Sequence, residues 1–213
     1  MHATFLVSSI TNKNQWLQRV QKDAFIKQRI SMNYRSRAAL KLLQLHSKHK
    51  ILKHGNSVLD LGCAPGGWTQ VCAQTGCRVV GVDLLPVSAI PGSTLICGNI
   101  QAPNVYSQLA ALGPFNVVLS DMAHSFTGHA QLDRDRVFDL CMFALHIASL
   151  HLKPGGNFVC KYLKGSDVHL LGNHFKSFKC AKPDASRKDS REEYFIGKGF
   201  LKRDNVPDPT MML

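Results

Sequence analysis

Over residues 36–47 apolar positions recur at helical spacing, with Ala39, Leu40 and Leu43 on one face, and a similar rhythm runs over 16–29. His54-Gly55-Asn56 reads as a stop, after which the pattern changes. Short apolar runs at 57–61, 78–84, 93–97, 116–120, 157–162, 178–181 and 194–200 predict strands, and helical patterns near 66–75, 104–112, 134–152 and 166–176 lie between most of them. Such alternation predicts an α/β fold, a mostly parallel seven-stranded sheet with helices on both faces. No repeat, low-complexity run or long linker divides the chain. One domain is expected over 1–203, with a basic helical segment at about 14–55 ahead of a core at about 56–203. The tail 204–213, with Pro207 and Pro209, is expected to fray.

Composition narrows the class. With 213 residues, 45% of them hydrophobic and 19% charged, the chain can bury a full-sized core. No apolar stretch approaches the roughly 20 residues of a membrane span, and the opening MHATFLVSSITNKNQW is too briefly apolar for a signal peptide, although an organelle presequence could already have been removed. The seven cysteines lack paired spacing, and several (Cys97, Cys141, Cys160) sit in apolar runs, so buried thiols in a reducing compartment are expected. There is no C-x-x-C and no metal site is predicted. The net charge of +12 is segregated: residues 1–55 carry eleven Lys/Arg against one acid, 56–175 six against seven, and 176–203 nine against four. Two basic flanks around a neutral middle form a footprint for a polyanion, or else a solvated basic surface.

The first chemical motif is VLDLGCAPGGW (58–68), a strand entering a glycine-rich turn and then a helix. In an open α/β sheet this turn is where a nucleotide-like cofactor lies, because glycines remove side-chain obstruction and the next helix offers N–H groups. Pro65, Gly66, Gly67 and Trp68 are therefore candidate cofactor contacts. Asp83 ends the second strand 21 residues after Gly62, placed to accept hydrogen bonds from both hydroxyls of an adenosine ribose. Ala64 stands where a dinucleotide fingerprint has its second glycine, and Pro65 stiffens the turn where a pyrophosphate would need room. S-adenosylmethionine, which has no phosphates, fits better. Asn99 after the third strand could accept from an adenine amino group, or serve simply as a turn residue.

A second constellation collects at the carboxyl ends of later strands. Ser120-Asp121-Met122-Ala123 closes an apolar strand with an acid beside the expected cofactor. In the run 157–162, Lys161 interrupts apolar residues, and burying an ammonium is costly without a partner or a task. If the final strand is antiparallel, as a hairpin-like link from 178–181 implies, its start lies at the same rim and Glu192 faces the site. Two carboxylates and an amine there suit proton removal from a weak acid such as a ribose hydroxyl. An amine serves as base when it is desolvated beside a second ammonium.

Several blocks together resemble the FtsJ-type ribosomal RNA 2′-O-methyltransferases: YRSRAALKL (34–42), LDLGCAPGGW (59–68), VDLLP (82–86), SDMA (120–123), Pro154-Gly155-Gly156 with 158–161, and Lys182-Pro183 leading to Ser186-Arg187 and Ser190-Arg191-Glu192. The resemblance runs from Trp16 to about Lys202. It implies a Rossmann-like methyltransferase fold, S-adenosylmethionine as cofactor, and a catalytic set of Lys41, Asp121, Lys161 and Glu192 with Lys161 as general base. It also implies cofactor contacts at Gly66, Trp68, Asp83, Asn99 and Asp121. The implied substrate is ribosomal RNA, within a large-subunit particle, bound by a monomer. Lys22, Lys27, Arg29, Arg35 and Arg37 become the phosphate-contact candidates. His124-Ser125 replaces the family's Pro-Asn after SDMA, which bears on loop shape, and Asn99 replaces its adenine-side acid. The compact form, with LDRDR at 132–136, is most like organellar members, which implies a mitochondrial location, the cytoplasm and nucleolus being alternatives. Two rivals remain: a nicotinamide-dependent oxidoreductase, which leaves the basic flanks and lysines unexplained, and a catalytically silent RNA-binding assembly factor.

Overall fold

A computed structural model describes residues 24–187 and 189–202. Lys22, the segment 16–23 of the first predicted helix and the tail 204–213 lie outside the described residues. In chain order the elements are α1 (Ala24–Ser31), α2 (Ala38–His49), β1 (Ser57–Leu61), α3 (Gly67–Gln74), β2 (Arg78–Asp83), β3 (Ser93–Cys97), α4 (Pro103–Leu112), β4 (Phe115–Ser120), α5 (Ala130–His151), β5 (Leu152–Leu163), α6 (His169–Gly172), β6 (Phe175–Ala181) and β7 (Glu192–Phe200).

These strands form a sheet in the order β3-β2-β1-β4-β5-β7-β6. The pairings from β3 through β5 are parallel, whereas β7 runs antiparallel to both β5 and β6. This reversal brings the start of β7 to the rim where β1, β4 and β5 end, with Glu192 opposite Leu163.

Side-chain alternation divides the core into two halves. Leu59, Val118, Phe158 and Phe195 pack on the face covered by α4 and α5. Val58, Leu119, Val159 and Ile196 pack on the other face with Leu42 and Leu45 of α2 and Val71 of α3. Lys161, two residues beyond Val159, shares the second face, and its cross-strand partner is Tyr194. Helix α2 carries Leu42 and Leu45 into that half-core, so Lys41 leans over the strand ends from its flank.

Two expectations change. The helix predicted over 166–176 is a single turn, because Phe175 leaves the helical spacing to begin β6 and stacks on Phe158 at 5.7 Å. Cys97, expected inside, is exposed on β3 at the end of the sheet, while Cys63, Cys72, Cys77, Cys141 and Cys160 are buried. Among the described residues no helix is long and apolar enough to cross a membrane.

Candidate active site

The turn after β1 depends on backbone that side chains would block. Gly62 has φ +74°, and a Cβ there would lie 2.8 Å from Met122 Cγ and 3.0 Å from its Cα. Gly66 has φ +104° and caps α3, with Ile90 Cδ1 only 2.7 Å from where a Cβ would be. At Gly67 a Cβ would run into Ser36 Oγ at the approach to α2. Pro65 follows a cis peptide bond. The Asp83 carboxylate ties the turn to its own strand: Oδ2 accepts from the Ala64 N–H and Oδ1 from the Leu85 N–H, each at 2.9 Å. Each oxygen retains capacity for a second hydrogen bond.

Trp68 and Asn99 occupy places that differ in kind from this turn. The Trp68 indole is 2% exposed, donates to the Ala38 carbonyl at 2.8 Å and packs 5.6 Å from the Tyr194 ring. Its side chain braces the site from behind. Asn99 is exposed, and its side-chain carbonyl accepts from the Gln101 N–H at 3.0 Å.

The four charged residues converge at the rim. Lys41 Nζ lies 2.9 Å from Glu192 Oε2 and donates to the Tyr194 hydroxyl at 3.2 Å. That hydroxyl donates to Asp121 Oδ1 at 3.0 Å. Lys161 Nζ, its side chain only 5% exposed, donates to the Asp121 carbonyl at 2.8 Å and lies 3.1 Å from Asp121 Oδ1. Tyr194 thus joins two ion pairs into one chain running from Glu192 to Lys161. Burial raises the Tyr194 hydroxyl well above its ordinary pKa, and the Asp121 and Glu192 charges add to this, so it stays protonated and bridging. Burial alone would raise Glu192, yet the charge and hydrogen bond of Lys41, with Lys161 and Ser190 helping, leave it below the ordinary carboxylate range.

Beneath this network lies a fifth charged-type residue. Asp60 on β1 is fully buried, accepts from Thr69 Oγ1 at 2.6 Å through Oδ2, and has no protein partner for Oδ1. Burial pushes its pKa up to about 7 against the opposing Thr69 hydrogen bond, and the Asp121 and Asp83 charges reinforce the rise.

Beside Lys41 and Glu192 opens a cleft of about 560 Å³, also lined by Arg37, Phe126, Arg187 and Arg191. The glycine turn and Asp83 do not line it, so the two sides of the site are distinct. Of the expected phosphate contacts, Lys27 is exposed on α1 and Arg29 reaches the Tyr34 and Arg35 carbonyls at 3.4 Å. The Arg35 guanidinium donates to the carbonyls of Ser88 at 2.7 Å, Ala89 at 2.8 Å and Pro65 at 3.4 Å. It fastens the chain before α2 to the cofactor turn and the β2–β3 loop. Arg37 lines the cleft while donating to the Ala185 carbonyl at 2.6 Å. Sequence reasoning did not assign roles to Tyr194, Phe126, Arg187 or Arg191. The signal for Tyr194 was its spacing, two residues beyond Glu192 on the same face of a strand.

A glycine turn and acid on one side, and a buried lysine with a second amine and two carboxylates on the other, stand on a parallel sheet with one reversed strand. That combination is a Rossmann-like methyltransferase fold. A family model described as FtsJ-like methyltransferase matches residues 34–200, and the chain belongs to that family. It is 43% identical over 196 residues to the ribosomal RNA large subunit methyltransferase E of Acidiphilium cryptum, covering 89% of this chain and 87% of the relative. Its counterpart of the same name in Granulibacter bethesdensis is 45% identical over 193 residues, covering 87% and 84%. A Plasmodium falciparum crystal structure, provisionally assigned as a ribosomal RNA methyltransferase, superposes with a TM-score of 0.72 at 29% identity, covering 80% of this chain and all (100%) of that one.

Proposed function

We propose that this protein methylates a ribose 2′-hydroxyl of large-subunit ribosomal RNA, using S-adenosylmethionine, with Lys161 as general base. The observation that carries the reading is the Lys161 amine, almost wholly buried at the strand rim and held by both the carbonyl and the carboxylate of Asp121. A cation in that position has no packing purpose, and its surroundings set its orientation tightly enough for proton transfer.

The cofactor side fits S-adenosylmethionine. Asp83 has acceptor capacity for ribose hydroxyls, and the turn admits a ligand against backbone. Leu84 and Leu85, 70% and 65% exposed next to Asp83, offer an apolar surface that a flat adenine would cover. When bound, S-adenosylmethionine supplies a methyl group activated on a sulfonium. The protein's own part is to position the ribose and take its proton. In this reading the Lys161 amine takes the 2′-hydroxyl proton, Asp121 orients that amine, and Glu192 holds Lys41 in place beside it. The ribosomal substrate is supported by the names of the relatives and by the basic flanks of the sequence. A mitochondrial location rests on the likeness to organellar members and would be read from the distribution of the tagged protein.

The test is transfer of labelled methyl from S-adenosylmethionine to large-subunit rRNA, protein-free and in immature subunits, by the unsubstituted chain and Lys161→Ala. Methylation of a 2′-hydroxyl protects the adjoining phosphodiester from alkali, which identifies the product. Transfer lost in the variant supports the reading. No transfer on either substrate, with RNA binding retained, replaces it with a catalytically silent assembly factor.

A further inference from the structure

Among the described residues, Phe126 is the one large, exposed apolar side chain that lines the cleft beside Lys41 and Glu192. It stands 55% exposed on the loop between β4 and α5, and leaving a phenyl ring in water forgoes the stabilisation of burial. The loop is not slack. Asp133, buried in the first turn of α5, accepts at Oδ1 from the Thr127 N–H at 2.7 Å and the Thr127 hydroxyl at 2.8 Å, and at Oδ2 from the Gly128 N–H at 3.1 Å. On the other side His124 Nδ1 lies 3.1 Å from the Ser125 carbonyl, and the His124 ring stands 6.1 Å from that of Phe126. The phenyl ring is therefore held out into the cleft by a fixed support. Arg187 and Arg191, both exposed, line the same cleft.

An aromatic face beside two guanidinium groups matches one ligand chemistry closely: a nucleobase for the ring and its flanking phosphates for the arginines. We infer that Phe126 is a stacking platform for an unpaired nucleobase of the acceptor RNA strand, next to the ribose presented to Lys161. This rests on reading the cleft as the acceptor side of a ribose methyltransferase. Inside a duplex both faces of a base are covered by its neighbours, so the platform selects single-stranded or unstacked RNA. Every base has a π-face, so it does so with little preference for base identity.

The experiment is equilibrium binding of fluorescein-labelled octauridylate, and of a duplex RNA of equal length, to the full chain at several salt concentrations. Phe126→Ala is expected to weaken octauridylate binding by about 5- to 150-fold while leaving duplex affinity and the salt slope unchanged. Phe126→Tyr should restore binding. Arg191→Ala should instead reduce the salt slope by about 0.7. The inference is overturned if Phe126→Ala binds octauridylate as the unsubstituted chain does, if both RNAs lose equally, or if the unsubstituted chain does not bind octauridylate. Methyl transfer is measured separately. An inactive wild type that keeps the Phe126-dependent preference removes the proposed reaction and leaves the platform, and an active one without the preference does the reverse.

Discussion

The glycine turn after β1 and the charged network at the ends of β4, β5 and β7 share one rim of the sheet, yet they are built by opposite means. The turn is backbone: Gly62 and Gly66 adopt conformations closed to most side chains, and Asp83 and Arg35 secure it through main-chain groups. The network is side chain: Lys41 from α2, Asp121 after β4, Lys161 from β5, and Glu192 and Tyr194 from β7 hold one another by five polar contacts of 2.8 to 3.2 Å. Damage to the first half should therefore spread into folding and cofactor binding. Damage to the second should remain in the chemistry.

The widest separation between the two is expected at Lys161. Lys161→Ala should lower single-turnover methyl transfer by about 10²- to 10⁴-fold, the usual contribution of a general base, while a thermal-shift titration shows S-adenosylmethionine affinity little changed. Retention of wild-type turnover would remove Lys161 from the role of base.

Asp60 lies between the halves and is expected to show a pH signature. Between its unfolded value of 3.8 and its folded value of about 7, the folded state keeps a proton that the unfolded chain has released. Stability contributed by this group is thus full at acid pH and falls as pH rises through that window, by roughly a few kcal/mol in all. Asp60→Asn should gain in melting temperature relative to the unsubstituted chain between pH 5 and pH 8. Parallel melting curves across that range would contradict the assignment.

For the backbone half, Gly62→Ala combines a φ of +74° with a collision against Met122, the neighbour of Asp121. A loss of about 1–3 kcal/mol in stability is expected, together with weaker S-adenosylmethionine binding, both measurable by thermal shift. The smallest effect is expected at Tyr194. Tyr194→Phe removes the hydroxyl that joins the two ion pairs but leaves each pair intact, so transfer should fall only about fivefold, in keeping with the loss of roughly 1 kcal/mol of hydrogen bonding. A loss as large as that of Lys161→Ala would make the bridge, not the individual pairs, the functional unit.

The same contrast explains what could be read from the sequence. The backbone half is contiguous, and its signal sits in the residues from Val58 to Trp68 and in Asp83, so the turn was legible from local pattern alone. The strands were legible too: 57–61 and 93–97 agree to the residue, and most others to within a few, because alternation and β-branched runs are local properties. Lys161 stood out as a charge in an apolar run. Lys41 had no such signal and entered through resemblance, since its partner lies 151 residues away. Tyr194 was hidden because an aromatic on a central strand reads as core, which it also is. The carbonyl contacts of Arg35 were hidden for a related reason: charge can be counted along a sequence, but the three carbonyls that its guanidinium reaches come from distant loops. Tertiary packing also decided against the helix at 166–176, where Phe175 finds better contacts with Phe158 and Phe195 across the sheet.

The position of β7 has a consequence for the order in which the protein becomes competent during synthesis. Chains emerge from the ribosome amino end first, and domains begin to form as they do so. Here the glycine turn, Asp83, Asp121 and Lys161 are all translated before β6, yet Glu192 and Tyr194 arrive only with β7, which must slide between β5 and β6 and pair with both. A chain that stops before β7 therefore holds the glycine turn, Asp83, Asp121 and Lys161 but lacks Glu192 and Tyr194, and cannot assemble the network.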